Sequence, residues 1–131
     1  MSQRHYGLTG AIIKCAFHVS NELGAGFLES VYEKAMLVAM KDEGITAVSQ
    51  KPIEVTFRGQ GVGTFFADLL VEDKVIVELK AAKAITPEHQ AQLINYLKAT
   101  GIEVGLILNF GNPKLEYKRS PLTPPRINLA N

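Results

Sequence analysis

The 131 residues carry 14 lysines and arginines against 13 aspartates and glutamates, for a formal charge of +1, and 47% of them are hydrophobic. That length and apolar content suit one domain over residues 1–131, and the balance of charge excludes a polybasic membrane binder or a general glue for polyanions. The single cysteine, Cys15, excludes an intrachain disulfide and a cysteine-based zinc set, and is expected in a core. No apolar stretch approaches the roughly 18 to 20 residues that cross a bilayer, and Met1-Ser2-Gln3-Arg4-His5 leads into no apolar run with a cleavage site. The expectation is a soluble, unprocessed, cytoplasmic protein with no membrane partner.

Leu8, Ala11, Ile12, Cys15, Ala16 and Val19 recur at helical spacing and predict an amphipathic helix over about residues 5 to 20, ended by Asn21, Gly24 and Gly26. A second helix is predicted from about Phe27 to Glu43, with Leu28, Val31, Ala35, Val38 and Ala39 as its apolar stripe and Gly44 as its stop. From Ile45 the period changes to two. Ile53, Val55 and Phe57 alternate with Glu54, Thr56 and Arg58 before Gly59-Gln60-Gly61, which predicts a strand with one wet face.

Val62 to Val71 and Val75 to Ala81 are more continuously apolar and joined by Glu72-Asp73-Lys74, so they read as the buried centre of an antiparallel meander. Thr86 caps a helix with Pro87 at its first position, running to Ala99 before Gly101. A strand over Glu103 to Phe110 follows by a helical crossover, hence parallel to a neighbour. The fold class is α/β, a three-strand antiparallel meander plus a parallel strand flanked by helices, in the order ααβββαβ. Residues 112–131 form an irregular or weakly stranded tail, with a weaker strand at Leu115 to Arg119 and the proline-rich Ser120 to Pro125 running over the surface.

The chemistry concentrates in one hairpin. A three-residue connection pairs Val71 with Val75 and sets Asp68 opposite Glu78, with Cβ atoms about 4.5 to 5.5 Å apart on one face; a slip of one residue would put Leu79 there instead. Lys80 shares the face of Glu78, and Leu79 offers its carbonyl. Two carboxylates and a carbonyl suit Mg²⁺, with Mn²⁺ as the alternative, and such ions bridge to phosphate oxygens. A lysine beside them can orient a water and neutralise charge in a phosphoryl transition state. The same pattern also arises by chance, with Asp68 and Glu78 facing solvent at a sheet edge. Against this, Asp68 interrupts an apolar run, where a solvated carboxylate is unexpected.

Asp68 followed by Glu78-Leu79-Lys80 resembles the PD-(D/E)xK nuclease superfamily, with Ala67 where the motif has proline. Gly26-Phe27-Leu28-Glu29-Ser30-Val31-Tyr32 resembles the signature of the GxxExxY proteins within it, and Leu23 to Gly26, Ala67 to Val71, Val77 to Ala81 and Gln92 to Leu97 extend the likeness from about Ile12 to Phe110. The family pattern carries a histidine at the position of Ser20, whereas this chain has His18.

The resemblance implies a restriction-endonuclease-like core. It further implies Asp68, Glu78, Glu29 and the Leu79 carbonyl as metal ligands and Lys80 as the catalytic lysine. Gln92 and Tyr96 resemble the Gln-x-x-x-Tyr element of RecB-like nucleases and are expected, with Tyr32, on the substrate side. Taken by themselves, Glu29 could be a first-turn carboxylate favoured by the helix dipole and Tyr32 a core aromatic, Gln92 and His89 ordinary solvated side chains, and Lys83 and Lys98 unspecific surface lysines.

The expected activity is a Mg²⁺-dependent nuclease acting on nucleic acid, DNA ahead of RNA because no aromatic single-strand platform with interleaved basic residues is evident. The alternative is a non-catalytic nuclease-fold module that binds nucleic acid or a protein partner. Leu115 and Tyr117 beside Lys118 and Arg119 leave an added strand, a homodimer interface or a phosphate contact open.

Overall fold

The structure, a computed structural model, describes residues 5–120. In chain order the elements are α1 (Tyr6–Leu23), α2 (Glu29–Asp42), β1 (Ala47–Phe57), β2 (Gln60–Val71), β3 (Val75–Lys80), α3 (Pro87–Thr100), β4 (Val104–Asn109) and β5 (Glu116–Ser120). The five strands form one mixed sheet in the order β1-β2-β3-β4-β5. Among the described residues, only β3 and β4 run parallel, joined by the α3 crossover; the other neighbours are antiparallel. The fold class read from the sequence holds. The order gains a final strand, β5, where the weaker segment was expected, and the proline-rich stretch after Ser120 lies outside the described residues.

Alternation along the strands sorts the core into two layers. Val75, Val77 and Leu79 of β3 pack with Leu69, Val71, Leu106 and Leu108 against Ile12, Ala16, Tyr32 and Met36 of α1 and α2. Ile76 and Ile107 point the other way, onto Leu93 and Leu97 of α3. Cys15 is buried in the first layer, as its helical position implies. Helix α3 starts as its sequence predicts: the Thr86 hydroxyl accepts from the His89 N–H, and His89 Nδ1 accepts from the Thr86 N–H. His89 is thereby a capping residue. No helix among the described residues is long and apolar enough to cross a membrane.

Two expectations need correction. Helix α2 begins at Glu29, not Phe27, because Leu28 is extended (φ −69°, ψ 157°) and Gly26 sits at φ 114°, a region that disfavours any side chain. The apolar run from Val62 is not uniformly buried either. Gln60 to Thr64 are exposed, and Val62 and Phe66 show 61% and 54% of their surface. Here β1 and β2 pair with each other as a hairpin arm, with Phe65 stacked on Tyr96 of α3 as one of its ties to the body (centroids 3.7 Å apart, planes at 9°).

Candidate active site

The β2–β3 turn fixes the register. Glu72 and Asp73 both take left-handed conformations, with φ of 54° and 56°, and Lys74 N–H donates to the Val71 carbonyl. That geometry matches the right-handed twist of the flanking strands. The ladder runs Val71 to Val75, Leu70 to Ile76 and Leu69 to Val77. Asp68 and Glu78 come next, and there backbone pairing stops. Each carboxylate instead takes a backbone donor of the opposite strand: Glu78 Oε2 accepts from the Asp68 N–H at 3.2 Å, and Asp68 Oδ2 from the Leu79 N–H at 2.8 Å. Asp68 therefore faces Glu78, and the strands part around the two acids.

Glu78 is buried, with 6% of its surface exposed. Its carboxyl is pushed up from an ordinary 4.5 to about 8, first by burial and then by the charge of Asp68, while the Asp68 N–H and Lys80 act in the opposite direction. An acid pair with one member buried and the other half-buried is short of positive charge. A divalent cation fits the donor set: two carboxylate groups at the open end of a ladder, and the Leu79 carbonyl, directed to the same side of β3 as its N–H, which already meets Asp68.

Lys80 follows on β3, half-buried, its carbonyl accepting from the Phe110 N–H at 2.8 Å. Tyr96 reaches the same region from α3: burial raises its phenol, and the charges of Glu78 and Asp68 raise it further. Gln92 lies one turn earlier on α3 and is exposed. Glu29 is the first residue of α2, exposed, and close enough for its charge to act on both Glu78 and Glu33. Among the described residues, no three His, Cys, Asp or Glu side chains converge tightly enough to hold an ion by themselves. Glu29 stands beside the acid pair rather than in a closed cage with it.

Tyr32 is not on the substrate side. It is fully buried, stacked on Phe110 (centroids 4.6 Å, 7°). Its hydroxyl donates to the Gly24 carbonyl at 2.6 Å and accepts from the Phe27 N–H at 3.2 Å. The Gly26–Glu29–Tyr32 spacing is thus a clasp on the α1–α2 connection: the glycine takes the unusual turn, the tyrosine ties its ends, and the glutamate opens α2. Tyr32→Phe is expected to cost about 1 to 2 kcal/mol, because it leaves two backbone groups without their partner; urea unfolding at fixed pH measures it. His18 lies elsewhere, in a groove of about 540 Å³ between α1 and α2 that Lys14, Glu22 and Val38 also line.

Sequence reasoning missed four residues around the site. Glu33, one turn beyond Glu29, accepts from Gln50 Nε2 at 2.9 Å, and the same nitrogen lies 3.4 Å from Asp68 Oδ1. Burial raises the Glu33 carboxyl and Asp68 adds to this, while the Gln50 hydrogen bond lowers it. Asn109, fully buried, accepts from the Ala82 and Gly111 N–H groups and donates to Ala82 O and Glu116, clamping the segment that follows Lys80. Gly111 packs directly on the Ala82 backbone. The i, i+4 pair Glu29 and Glu33 was the one visible signal.

A family profile described as the PD-(D/E)XK nuclease superfamily matches residues 6–120. The chain belongs to the PD-(D/E)XK nuclease superfamily. The match covers all eight elements and includes the Asp68, Glu78 and Lys80 positions. Among solved structures, the crystal structure of SSO0001 is similar in fold, with a TM-score of 0.56 at 15% identity over 69% of this chain and 48% of that one. The chain thus spans about half the length of that protein. The search of curated proteins gives no match. As a PD-(D/E)XK domain, the protein presents its acid pair where an antiparallel hairpin opens beside a parallel crossover.

Proposed function

We propose that this PD-(D/E)XK domain is a Mg²⁺- or Mn²⁺-dependent phosphodiesterase acting on DNA, and that within the superfamily it is a GxxExxY protein. The observation that carries the reading is the parting of β2 and β3 around Asp68 and Glu78 with Lys80 next to them. Asp68, Glu78 and the Leu79 carbonyl would hold the cation, with Glu29 completing its surroundings from α2. A bound dication supplies the Lewis-acid charge that in-line displacement at phosphorus requires.

The remaining work falls to the chain itself. Lys80 directs a water at the phosphorus and meets the charge that grows on the phosphate oxygens. Tyr96, anchored by Phe65, and Gln92 one turn before it flank the path of the substrate strand. The formal charge of +1 gives little general affinity for a polyanion. Target selection therefore rests on a structured substrate, a second copy of the chain or a protein partner.

A cleavage panel of linear, nicked, circular and single-stranded DNA and of RNA, with Mg²⁺ or Mn²⁺, tests the reading. Cleavage of a DNA form is expected, reduced at least 100-fold in Lys80→Ala, in line with loss of one electrostatic stabiliser. Equal activity in Lys80→Ala would sink it. One observation favours a second reading, a non-catalytic module that binds nucleic acid or a protein: no third acid closes on the pair among the described residues. Metal titration separates the two, since a retired site binds Mn²⁺ no better than its Asp68→Ala variant.

A further inference from the structure

We propose that Gln50 is a positioning residue for Asp68, tying that carboxylate to α2 through Glu33. The proposal rests on the metal-site reading above and extends it to residues outside the motif.

Gln50 sits inside β1 with φ 53°, a left-handed conformation that costs a non-glycine residue about 1 kcal/mol and in mid-strand calls for a reason. Burial is not that reason, since the residue is exposed. On either side of it β1 pairs regularly with β2, Ser49 with Leu69 and Lys51 with Ala67, and the omitted pair is Gln50 with Asp68. Both strands change face at this point. Ala47, Leu69 and Val71 pack in the α1–α2 layer, whereas Ile53 and Ala67 pack in the α3 layer, although an unbroken alternation would keep all five on one side. The switch turns the Gln50 amide toward α2, where its nitrogen meets Glu33 Oε1 at 2.9 Å and Asp68 Oδ1 at 3.4 Å.

The chemistry suits a ligand-holding role. Glu33 accepts hydrogen bonds, so it selects which end of the amide faces Asp68: the donor end. The amide carries no charge, so it fixes the Asp68 rotamer without neutralising the charge a dication needs, as a lysine at position 50 would. With Leu79 N–H on Oδ2 and Gln50 beside Oδ1, both oxygens of Asp68 have a fixed direction before any ion arrives.

The test uses Mn²⁺ binding by calorimetry on the metal-free protein, with thermal unfolding alongside. Gln50→Gly accepts the left-handed backbone, so its Tm should equal or exceed that of wild type, while its Mn²⁺ affinity should fall about ten-fold. Gln50→Asn also tolerates that backbone, and its amide is too short to span both carboxylates, so the same loss is expected. Glu33→Ala should weaken binding in the same direction, and adding it to Gln50→Gly should cost little more, because the two act through one chain of contacts. Wild-type affinity in both Gln50 variants would overturn the inference alone. If wild-type protein takes up no Mn²⁺, the metal-site reading falls and this inference falls with it.

Discussion

Glu78→Gln should make the metal-free protein more stable at pH 8 while ending its cleavage activity. The Glu78 carboxyl is raised to about 8 in the fold, from an ordinary 4.5, by burial and by Asp68. Between those two values the folded protein retains a proton that the unfolded chain has released. Stability from this group is therefore full below about pH 4.5 and is lost as pH rises toward 8. A neutral amide of the same shape escapes that loss and can still accept from the Asp68 N–H. The expected gain at pH 8 is about 2 kcal/mol, a Tm rise of roughly 6 to 8 °C, and it should vanish near pH 5, where wild type is already neutral at this position. Added Mn²⁺ should stabilise wild type increasingly from pH 5 to 8 and leave Glu78→Gln unmoved. A variant less stable than wild type at pH 8 would show that the acid pair is not a store of unfavourable charge.

Gly111→Ala should be severe for the opposite reason, since it adds one methyl group where none fits. A Cβ at this position would fall on the carbonyl and nitrogen of Ala82, which are backbone atoms that cannot rotate aside. Ala82 is in turn held from both its N–H and its carbonyl by Asn109. The methyl can be accommodated only if the clamp opens, at about 3 kcal/mol or more and a Tm drop of roughly 10 °C. The displaced segment begins two residues after Lys80, so cleavage measured well below the Tm should also fall. Unchanged activity in a folded Gly111→Ala would separate the clamp from the placement of Lys80. Asn109→Ala offers an independent check, because it removes the clamp without adding bulk.

Much of this arrangement is legible in the sequence. A three-residue Glu72-Asp73-Lys74 connection pairs Val71 with Val75 and so sets Asp68 against Glu78, whereas a slip of one residue would have set it against Leu79. Thr86-Pro87 marked the start of α3 through a cap whose partners are all local. What escaped depended on distant or unusual geometry. Tyr32 at helical spacing reads first as a core aromatic, and only the family resemblance sets it on the substrate side; its hydroxyl partners lie in a loop whose course no periodicity reports. Gln50 carried no signal, since its left-handed conformation belongs to a change of face that only the packing of both strands reveals. The apolar run from Val62 read as buried because composition records the character of a strand and not the reach of the helix that would cover it.

The Tyr32 clasp has a consequence for the phase of α2. At 100° per residue, Glu29 stands about 60° and Glu33 about 100° around the helix from Tyr32, both in the same rotational sense. Locking the tyrosine ring against Phe110 therefore sets the azimuth of both glutamates at once. One residue inserted between Glu29 and Tyr32 would swing Glu29 back through 100°, to about 40° on the other side of Tyr32, and leave the tyrosine and everything after it where it is. The three-residue interval between them acts as an angular setting: it aims a carboxylate at the hairpin by fixing a ring about 60° away around the same helix.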